Sequence, residues 1–227
     1  FLSDIDGETD QHIDRLVESA GPVLDAIFRH VDDPPGTPVA GNPEKVSKWL
    51  KHHVHKPLDA LFAYEDASVS DIKACARAAR FAGNTLQSPL LIYMSIKSLG
   101  HALALKLMKA RVGKKGNEAT ESVGTVHFLA FVPFGTNHLG FFTIFDGDFA
   151  KYAQDFADKT SFVFDALFHH VDGAPPAPVA KNPQAFYQWA LEANHPPIGF
   201  YSAYPGLSVQ DIKALLADPK PQSATAR

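Results

Sequence analysis

Residues 125–147, TVHFLAFVPFGTNHLGFFTIFDG, decide the fold because they contain two aromatic runs joined by a turn. The runs over 125–133 and 139–146 are rich in phenylalanine and β-branched residues, which favour β-strands. The four residues between them, GTNH at 135–138, are typical of a hairpin turn. Aromatic side chains fall on both faces of these strands, so both faces need to be covered. We therefore predict an antiparallel hairpin inside a sheet that is covered on two sides.

The segment after this hairpin recurs once in the chain, at an offset of 140 residues. DAIFRHVDDPPGTPVAGNPEKVSKWL begins at Asp25, and DALFHHVDGAPPAPVAKNPQAFYQWA begins at Asp165. Aligned without a gap, residues 1–78 match residues 141–218 at 27 of 78 positions, against roughly one in fifteen expected from average composition. Because a hairpin precedes only the second copy, we expect the chain to begin just after the matching hairpin of the first copy.

Local patterns predict the remaining strands and the helices that follow them. Residues 58–64 and 198–204 are short, aromatic-rich and bounded by turn residues, which favours strands. Ser68 and Ser208 each precede an aspartate by three residues, a spacing typical of a capped helix start. Residues 89–111 are predicted to form a further helix. Its predicted apolar stripe consists of Ile92, Ile96, Leu99, Leu103 and Leu107.

The later elements complete the predicted fold class. VGKKGNEATESVG, which ends at Gly124, is predicted to be a polar loop, and residues 148–168 and 183–193 are predicted helices. From residue 58 the predicted order is strand, helix, strand, strand, helix, strand, the pattern of a ferredoxin-like domain. We therefore predict an α+β protein of tandem ferredoxin-like repeats with antiparallel sheets. The predicted divisions are 1–57, the end of a first repeat; 58–204, a repeat with helical insertions; and 205–227, a helix with a disordered tail.

Composition excludes several classes of protein. Hydrophobic residues make up 45% and charged residues 20%, with a net charge of −4, which argues against a largely disordered chain and against a nucleic-acid partner. The single cysteine, Cys75, excludes an intramolecular disulfide framework and a thiolate zinc cage. The chain lacks a secretory signal at its start and an apolar run long enough to span a bilayer. We expect a cytoplasmic protein, with attachment to a membrane surface as the alternative.

The hairpin and the helix after it resemble a known superfamily. HFLAFVPF, followed by LGFFTIFDGDFAKYAQDF, is similar to the strand–strand–DG–helix unit of the dimeric α/β-barrel superfamily, and the resemblance covers most of residues 58–204. That superfamily includes haem proteins, such as dye-decolourising peroxidases and chlorite dismutases, and cofactor-free monooxygenases. The resemblance implies sheets that can close into an α/β barrel, oxidoreductase chemistry, and either haem or no cofactor.

The repeated His-Val-Asp triplet supplies the first candidate site. A histidine can bind iron or act as a base while a nearby carboxylate orients its ring. His170 is therefore a candidate catalytic and cofactor-binding residue, with Asp172 orienting it, and His30 and Asp32 are their equivalents in the first copy. The alternative is that a cationic histidine caps the end of the preceding helix.

Two further candidates belong to the hairpin. Asp146, with its equivalent Asp6, lies at a DG corner, where it could act as an acid–base group at the mouth of a barrel. The alternative is turn chemistry, with the glycine allowing a positive φ and the aspartate capping the next helix. His127 lies in an alternating strand, on the face shared with Leu129 and Phe131, so it could line a cavity and bind a cofactor, or be a hydrogen-bonded core histidine.

These residues support three hypotheses about function. The first is a barrel that binds a small hydrophobic molecule or haem in an apolar cavity, with peroxidase- or monooxygenase-like activity. The second is a non-catalytic interaction or assembly module, which would form a homo-oligomer or bind a partner protein, and which could sit on a membrane surface. The third is a metal site built from His52, His53 and His55, of which only His55 recurs in the second copy, as His195.

Overall fold

The computed structural model describes residue 3 and residues 5–78 and 86–217. The chain divides into two compact units, Phe1–His55 and Lys56–Arg227, called unit 1 and unit 2. The boundary between the units does not coincide with the end of the first repeat. Residues 56–78 belong to the first copy of the repeat, yet they are part of unit 2. Within the described residues, no helix is long and apolar enough to cross a bilayer.

Unit 1 is helical. It contains α1 (Thr9–Ser19), α2 (Gly21–Phe28), a single 3₁₀ turn (Val39–Gly41) and α3 (Pro43–His52). Proline stands within the first two positions of both α2 and α3, where its missing N–H leaves no hydrogen bond unmade. The core of the unit consists of Ile13, Val17, Leu24, Phe28, Val39 and Val46.

Unit 2 is built on a four-stranded antiparallel sheet. Its strands are β1 (Asp59–Phe62), β2 (Gln87–Ser95), β3 (Val126–Phe134) and β4 (His138–Asp146), in the order β1-β3-β4-β2. The predicted hairpin is confirmed as β3 and β4, and β1 confirms the first of the two predicted aromatic strands. The predicted α+β class is therefore correct, but this sheet is open and does not close into a barrel.

The helices described in unit 2 are α4 (Val69–Ala78), α5 (Leu99–Val123), α6 (Phe149–Lys159), α7 (Ser161–Phe168), α8 (Pro183–Glu192) and α9 (Val209–Ala217). Helices α5–α8 cover one face of the sheet, whereas α4 and α9 pack against each other in a separate cluster. The main core packs residues of α5–α8 against inward-facing strand residues such as Leu129, Phe141 and Phe145. A smaller cluster lies on the other face, where Phe128, Ala130 and Val132 are buried; around them lie the half-buried Ala60, Phe62, Phe134, Phe142 and Ile144.

The repeat in the sequence is also a repeat in structure. Helices α6, α7 and α8 begin 140 residues after α1, α2 and α3, and a 3₁₀ turn follows α7 as it follows α2. The same side-chain contact occurs within each copy. Asp25 accepts a hydrogen bond from the Val39 N–H at 2.9 Å, and Asp165 accepts one from the Val179 N–H at 2.7 Å. The sequence identity between the copies therefore reflects a shared local fold.

The predicted helix over 89–111 is wrong in its first half. Residues 87–95 form β2, which pairs with β4 along its whole length. Leu90, Ile92 and Met94 are buried at alternate positions, the period of a strand with one face in the core. The i, i+4 spacing of Ile92 and Ile96 fits a helix and a strand equally well, and the available pairing partner decides between them.

The predicted loop that ends at Gly124 is also wrong, because α5 continues through it. The helix runs to Val123 and ends where Gly124 adopts a positive φ of 78°, the usual way to stop a helix. Leu99, Leu103 and Leu107 were expected in the apolar stripe of a buried helix face, yet they are 59%, 54% and 70% exposed. Leu105 and Met108 lie against the core instead.

Two further corrections concern the second copy. The single helix predicted over 148–168 is divided at Thr160, just as α1 and α2 are divided at its repeat equivalent, Ala20. The strand predicted over 198–204 is not formed, since these residues pair with no strand of the described sheet. The predicted element order from residue 58 is accordingly wrong. A strand that was not predicted, β2, lies between α4 and α5, and the last predicted strand is not formed.

Candidate functional site

A buried histidine and a carboxylate meet at one end of the hairpin. Nε2 of His127, near the start of β3, lies 2.7 Å from Oδ1 of Asp146, the last residue of β4. Only 4% of His127 is exposed. The other Asp146 oxygen accepts a hydrogen bond from the Val209 N–H, the first of α9, at 2.8 Å. Asp146 thus joins the hairpin to the last described helix of the chain.

A β-bulge aims His127 at this partner. The ladder between β3 and β4 shifts register between Val126 and Phe128, leaving His127 as the extra residue. Val126 therefore joins the core cluster that contains Leu129. His127 was expected on the same face of the strand as Leu129. The bulge ends the regular alternation at this point, because bulges redirect side chains.

Two tyrosines, one from each repeat, extend the network. The Tyr64 hydroxyl lies 2.8 Å from Nδ1 of His127, and the hydroxyls of Tyr64 and Tyr204 share a hydrogen bond of 3.0 Å. Nε2 donates to the Asp146 carboxylate, and the single proton of the Tyr64 hydroxyl is donated either to Nδ1 of His127 or to the Tyr204 hydroxyl. The Gln87 side chain donates to the Tyr204 carbonyl at 3.2 Å and fixes this end of the network.

This network does not fit a haem ligand. Both ring nitrogens of His127 are engaged, one with Tyr64 and one with Asp146, so neither is free for iron. Asp146 does not cap α6 either: Asp148 does, by accepting from the Lys151 N–H at 3.0 Å. The glycine half of the turn interpretation is confirmed, since Gly7 and Gly147 have φ values of 88° and 86°. The half-buried Asp146 carboxylate instead joins His127 and the start of α9 by hydrogen bonds.

An apolar cavity of about 60 Å³ lies between α5, α6, α7 and the sheet; we call it the α5 cavity. Its polar lining consists of Asp59, Asn117 and two threonines, whose hydroxyls donate to backbone carbonyls: Thr120 to Gly116 and Thr160 to Phe156. The rest of the wall is mostly hydrocarbon. Its apolar lining includes Leu105, Met108, Leu129, Phe131, Val163 and Leu167.

His170 lies in a second, partly exposed cluster of histidines. Its Nδ1 lies 2.8 Å from Nδ1 of His101, at the start of α5, and its ring also contacts His169. Burial lowers the pKa of His170 below its usual value, and His101, His169 and Lys97 lower it further. The hydrogen bond between the two rings requires one nitrogen without a proton, which agrees with this direction.

The partner predicted for His170 is not the one found. The hydrogen bond of its ring goes to His101, while Asp172 is exposed and its backbone N–H donates to the Ser95 carbonyl at 2.9 Å. In unit 1, His30, Asp32 and Asp6 are exposed. The structure thus brings together Asp146 and His127 among the candidates, but separates both from His170.

The metal site proposed from His52, His53 and His55 is not found among the described residues. His53 stacks on Trp49 with ring centroids 4.0 Å apart, and its Nδ1 lies 2.8 Å from the Trp49 carbonyl. Across the described part of the chain, no group of three or more His, Cys, Asp or Glu side chains is arranged to hold a metal ion.

Sequence reasoning missed three residues of these two clusters. Tyr64 and Tyr204 occupy equivalent positions in the two copies, so their identity in the repeat was a signal that could have singled them out. No signal in the sequence singled out His101, because it contacts His170 only through the packing of α5. No family model, curated protein or solved structure matches the chain, so its function is inferred from this geometry.

Proposed function

We propose that unit 2 binds a small, neutral, apolar molecule in the α5 cavity. The observation that carries this proposal is the size and lining of the cavity. Its volume of about 60 Å³ is several times the 10–15 Å³ that one buried water needs. Water also needs polar partners, so a largely apolar cavity favours an apolar guest such as xenon.

The cavity favours a small guest over haem. None of its described lining residues is a histidine, and its volume suits a molecule of a few heavy atoms better than a porphyrin. The peroxidase- or monooxygenase-like activity implied by the superfamily resemblance would further need a reactive group at the cavity. His127, Asp146 and His170 are not part of its lining, so the proposal is limited to binding.

Titration with xenon, followed by the NMR shift of the dissolved xenon and with benzene in parallel, tests the proposal. We expect xenon to bind one-to-one, and benzene to bind more weakly, because an enclosed apolar cavity that takes benzene has about 150 Å³. Val163→Phe should weaken xenon binding about tenfold or more, because the added ring occupies the space of the guest. Val23→Phe is the matched control, since Val23 is the repeat equivalent of Val163 and is 60% exposed.

Two results would overturn it. One is the absence of xenon binding to the wild-type protein. The other is unchanged xenon affinity in a Val163→Phe variant whose circular dichroism shows the native fold. Addition of haemin in parallel separates the two ligand classes, because a Soret band that depends on His170 would favour haem instead.

A non-catalytic interaction module is the second candidate function. The observation that favours it is the exposure of apolar residues after α8, where Ile198 and Tyr201 stand out from the rest of unit 2. Exposed apolar patches of this kind mark contact sites in soluble proteins. This function and cavity binding use different parts of unit 2, so both can hold.

A further inference from the structure

Residues 198–203, IGFYSA, which we call segment 198–203, occupy the place that β1 has in the first repeat. Subtracting the offset of 140 aligns Gly199–Ser202 with Asp59–Phe62, and Ala203 and Tyr204 with the identical Ala63 and Tyr64. In the first copy these residues form a strand on β3, with Asp59 opposite Phe131 and Phe62 opposite Phe128. In the second copy they make no ladder.

The missing partner leaves apolar side chains exposed. Leu61 is 3% exposed in β1, whereas its equivalent Tyr201 is 82% exposed. Leu58 packs against the main core, whereas its equivalent Ile198 is fully exposed. The same sequence pattern is therefore buried in one copy and exposed in the other, and the difference is the presence of β3.

After β1 and after segment 198–203, the two copies of the repeat meet in a contact with local two-fold symmetry. Tyr64 hydrogen-bonds its own repeat equivalent Tyr204. Ile72 of α4 and its equivalent Ile212 of α9 lie in one buried cluster. Residues that meet their own equivalents are the mark of an isologous contact, in which every interaction on one side has a counterpart on the other.

This symmetry identifies what segment 198–203 lacks. On one side of the contact, β1 leads into Tyr64 and α4, and β1 is paired with β3. We propose that segment 198–203 is an interaction surface that forms an antiparallel strand on a β3-type strand of a second sheet-forming unit. The partner would carry an apolar edge strand with the pattern of VHFLAFVPF, and the added strand would gain main-chain hydrogen bonds and bury Tyr201.

The geometry does not favour a second copy of this chain as the partner of segment 198–203. In such a copy the pairing edge of β3 is already taken by its own β1. The β3–β4 ladder occupies the other edge of β3. The partner is therefore a sheet-forming unit whose β3-type strand still has an open edge.

Hydrogen exchange with an added hairpin tests this inference. The probe is a synthetic peptide with the sequence of residues 124–147, followed by three lysines for solubility. We expect it to slow amide exchange across segment 198–203 of the whole chain by ~10-fold or more, because strand pairing protects main-chain N–H groups. A peptide of the same composition in scrambled order should have no effect.

Two variants make the test specific. Tyr201→Lys should abolish this protection, because the position equivalent to buried Leu61 cannot accept an unpaired charge. Leu191→Lys, at another exposed apolar residue, 43% exposed, should leave it unchanged. Equal protection in both variants, protection confined to other strands, or no protection at all would overturn the inference. So would dimers of the chain alone that Tyr201→Lys dissociates, as measured by light scattering.

Discussion

At the scale of single residues, the Asp146 carboxylate connects three parts of unit 2. It accepts from His127 in the bulge of β3, terminates β4, and accepts from the first N–H of α9. Through His127 it also reaches the tyrosines of both repeats. A buried hydrogen-bond network of this kind stabilises a fold only while all its members remain paired.

Asp146→Asn tests this role, because it retains the shape of the side chain and removes its charge. We expect a loss of about 2 kcal/mol in the free energy of unfolding, since one buried partner is left without its charged acceptor. Urea denaturation monitored by circular dichroism measures it. Asp172→Asn makes the same change at an exposed position and should have little effect. Equal stability of the two variants would contradict the assignment.

We expect His170 to make the stability of the protein depend on pH. Its pKa is lowered in the folded chain by burial and by the nearby His101, His169 and Lys97, whereas the unfolded chain has the ordinary value of about 6.5. Protons therefore bind the unfolded state more readily in this range. The stabilisation by neutral His170 is complete above that ordinary value and is lost as the pH falls through the folded pKa.

Melting temperatures between pH 8 and pH 5 check this dependence. We expect the melting temperature of the wild-type protein to fall on acidification below about pH 6.5, and the fall to be smaller in His170→Gln. The matched control is His30→Gln, at the exposed equivalent position of unit 1, which should follow the wild type. A wild-type slope in His170→Gln would show that other groups cause the pH dependence.

At the scale of elements, the two Ser-x-x-Asp sequences show how local chemistry starts a helix. Asp71 accepts hydrogen bonds from both the N–H and the hydroxyl of Ser68, and the Asp71 N–H donates to the serine oxygen. Ser208 and Asp211 make the same set of contacts. These capping boxes were predictable because every contact lies within four residues.

Ser68→Ala should destabilise the protein by about 1 kcal/mol, because the first turn of α4 loses a capping acceptor. Guanidinium denaturation with fluorescence detection measures the change. Ser70→Ala is the control inside the same helix, where alanine favours the helical state and stability should be equal or slightly higher. If both variants lost the same stability, the hydrogen bonds of Ser68 would not be the cause.

Elements that depend on distant partners were harder to predict. The β3–β4 hairpin is local and was predictable from its aromatic runs and its turn. β2 was not, because its apolar spacing fits both a helix and a strand, and only the ladder with β4 decides. Segment 198–203 shows the reverse case: its sequence favours a strand, but no strand forms without a partner.

At the scale of the whole chain, the repeat explains how the clusters arose. Each copy supplies a tyrosine and a capped helix to one shared contact, in which Tyr64 meets Tyr204 and Ile72 meets Ile212. The sequence could predict that such equivalent residues matter, but not that they touch each other. An apolar cavity was expected, but its position could not be predicted, because it depends on the unexpected extension of α5 to Val123.

Methyl NMR of unit 2 within the whole protein tests the central claim, the binding of an apolar guest in the α5 cavity, most directly. Addition of xenon should shift the methyl signals of Leu105, Leu129 and Val163, which line the cavity, in a saturable manner. Signals of the unit 1 core, such as Val17 and Val46, should stay in place. Shifts confined to exposed leucines such as Leu103 and Leu107, or no saturable shift at all, would contradict the account.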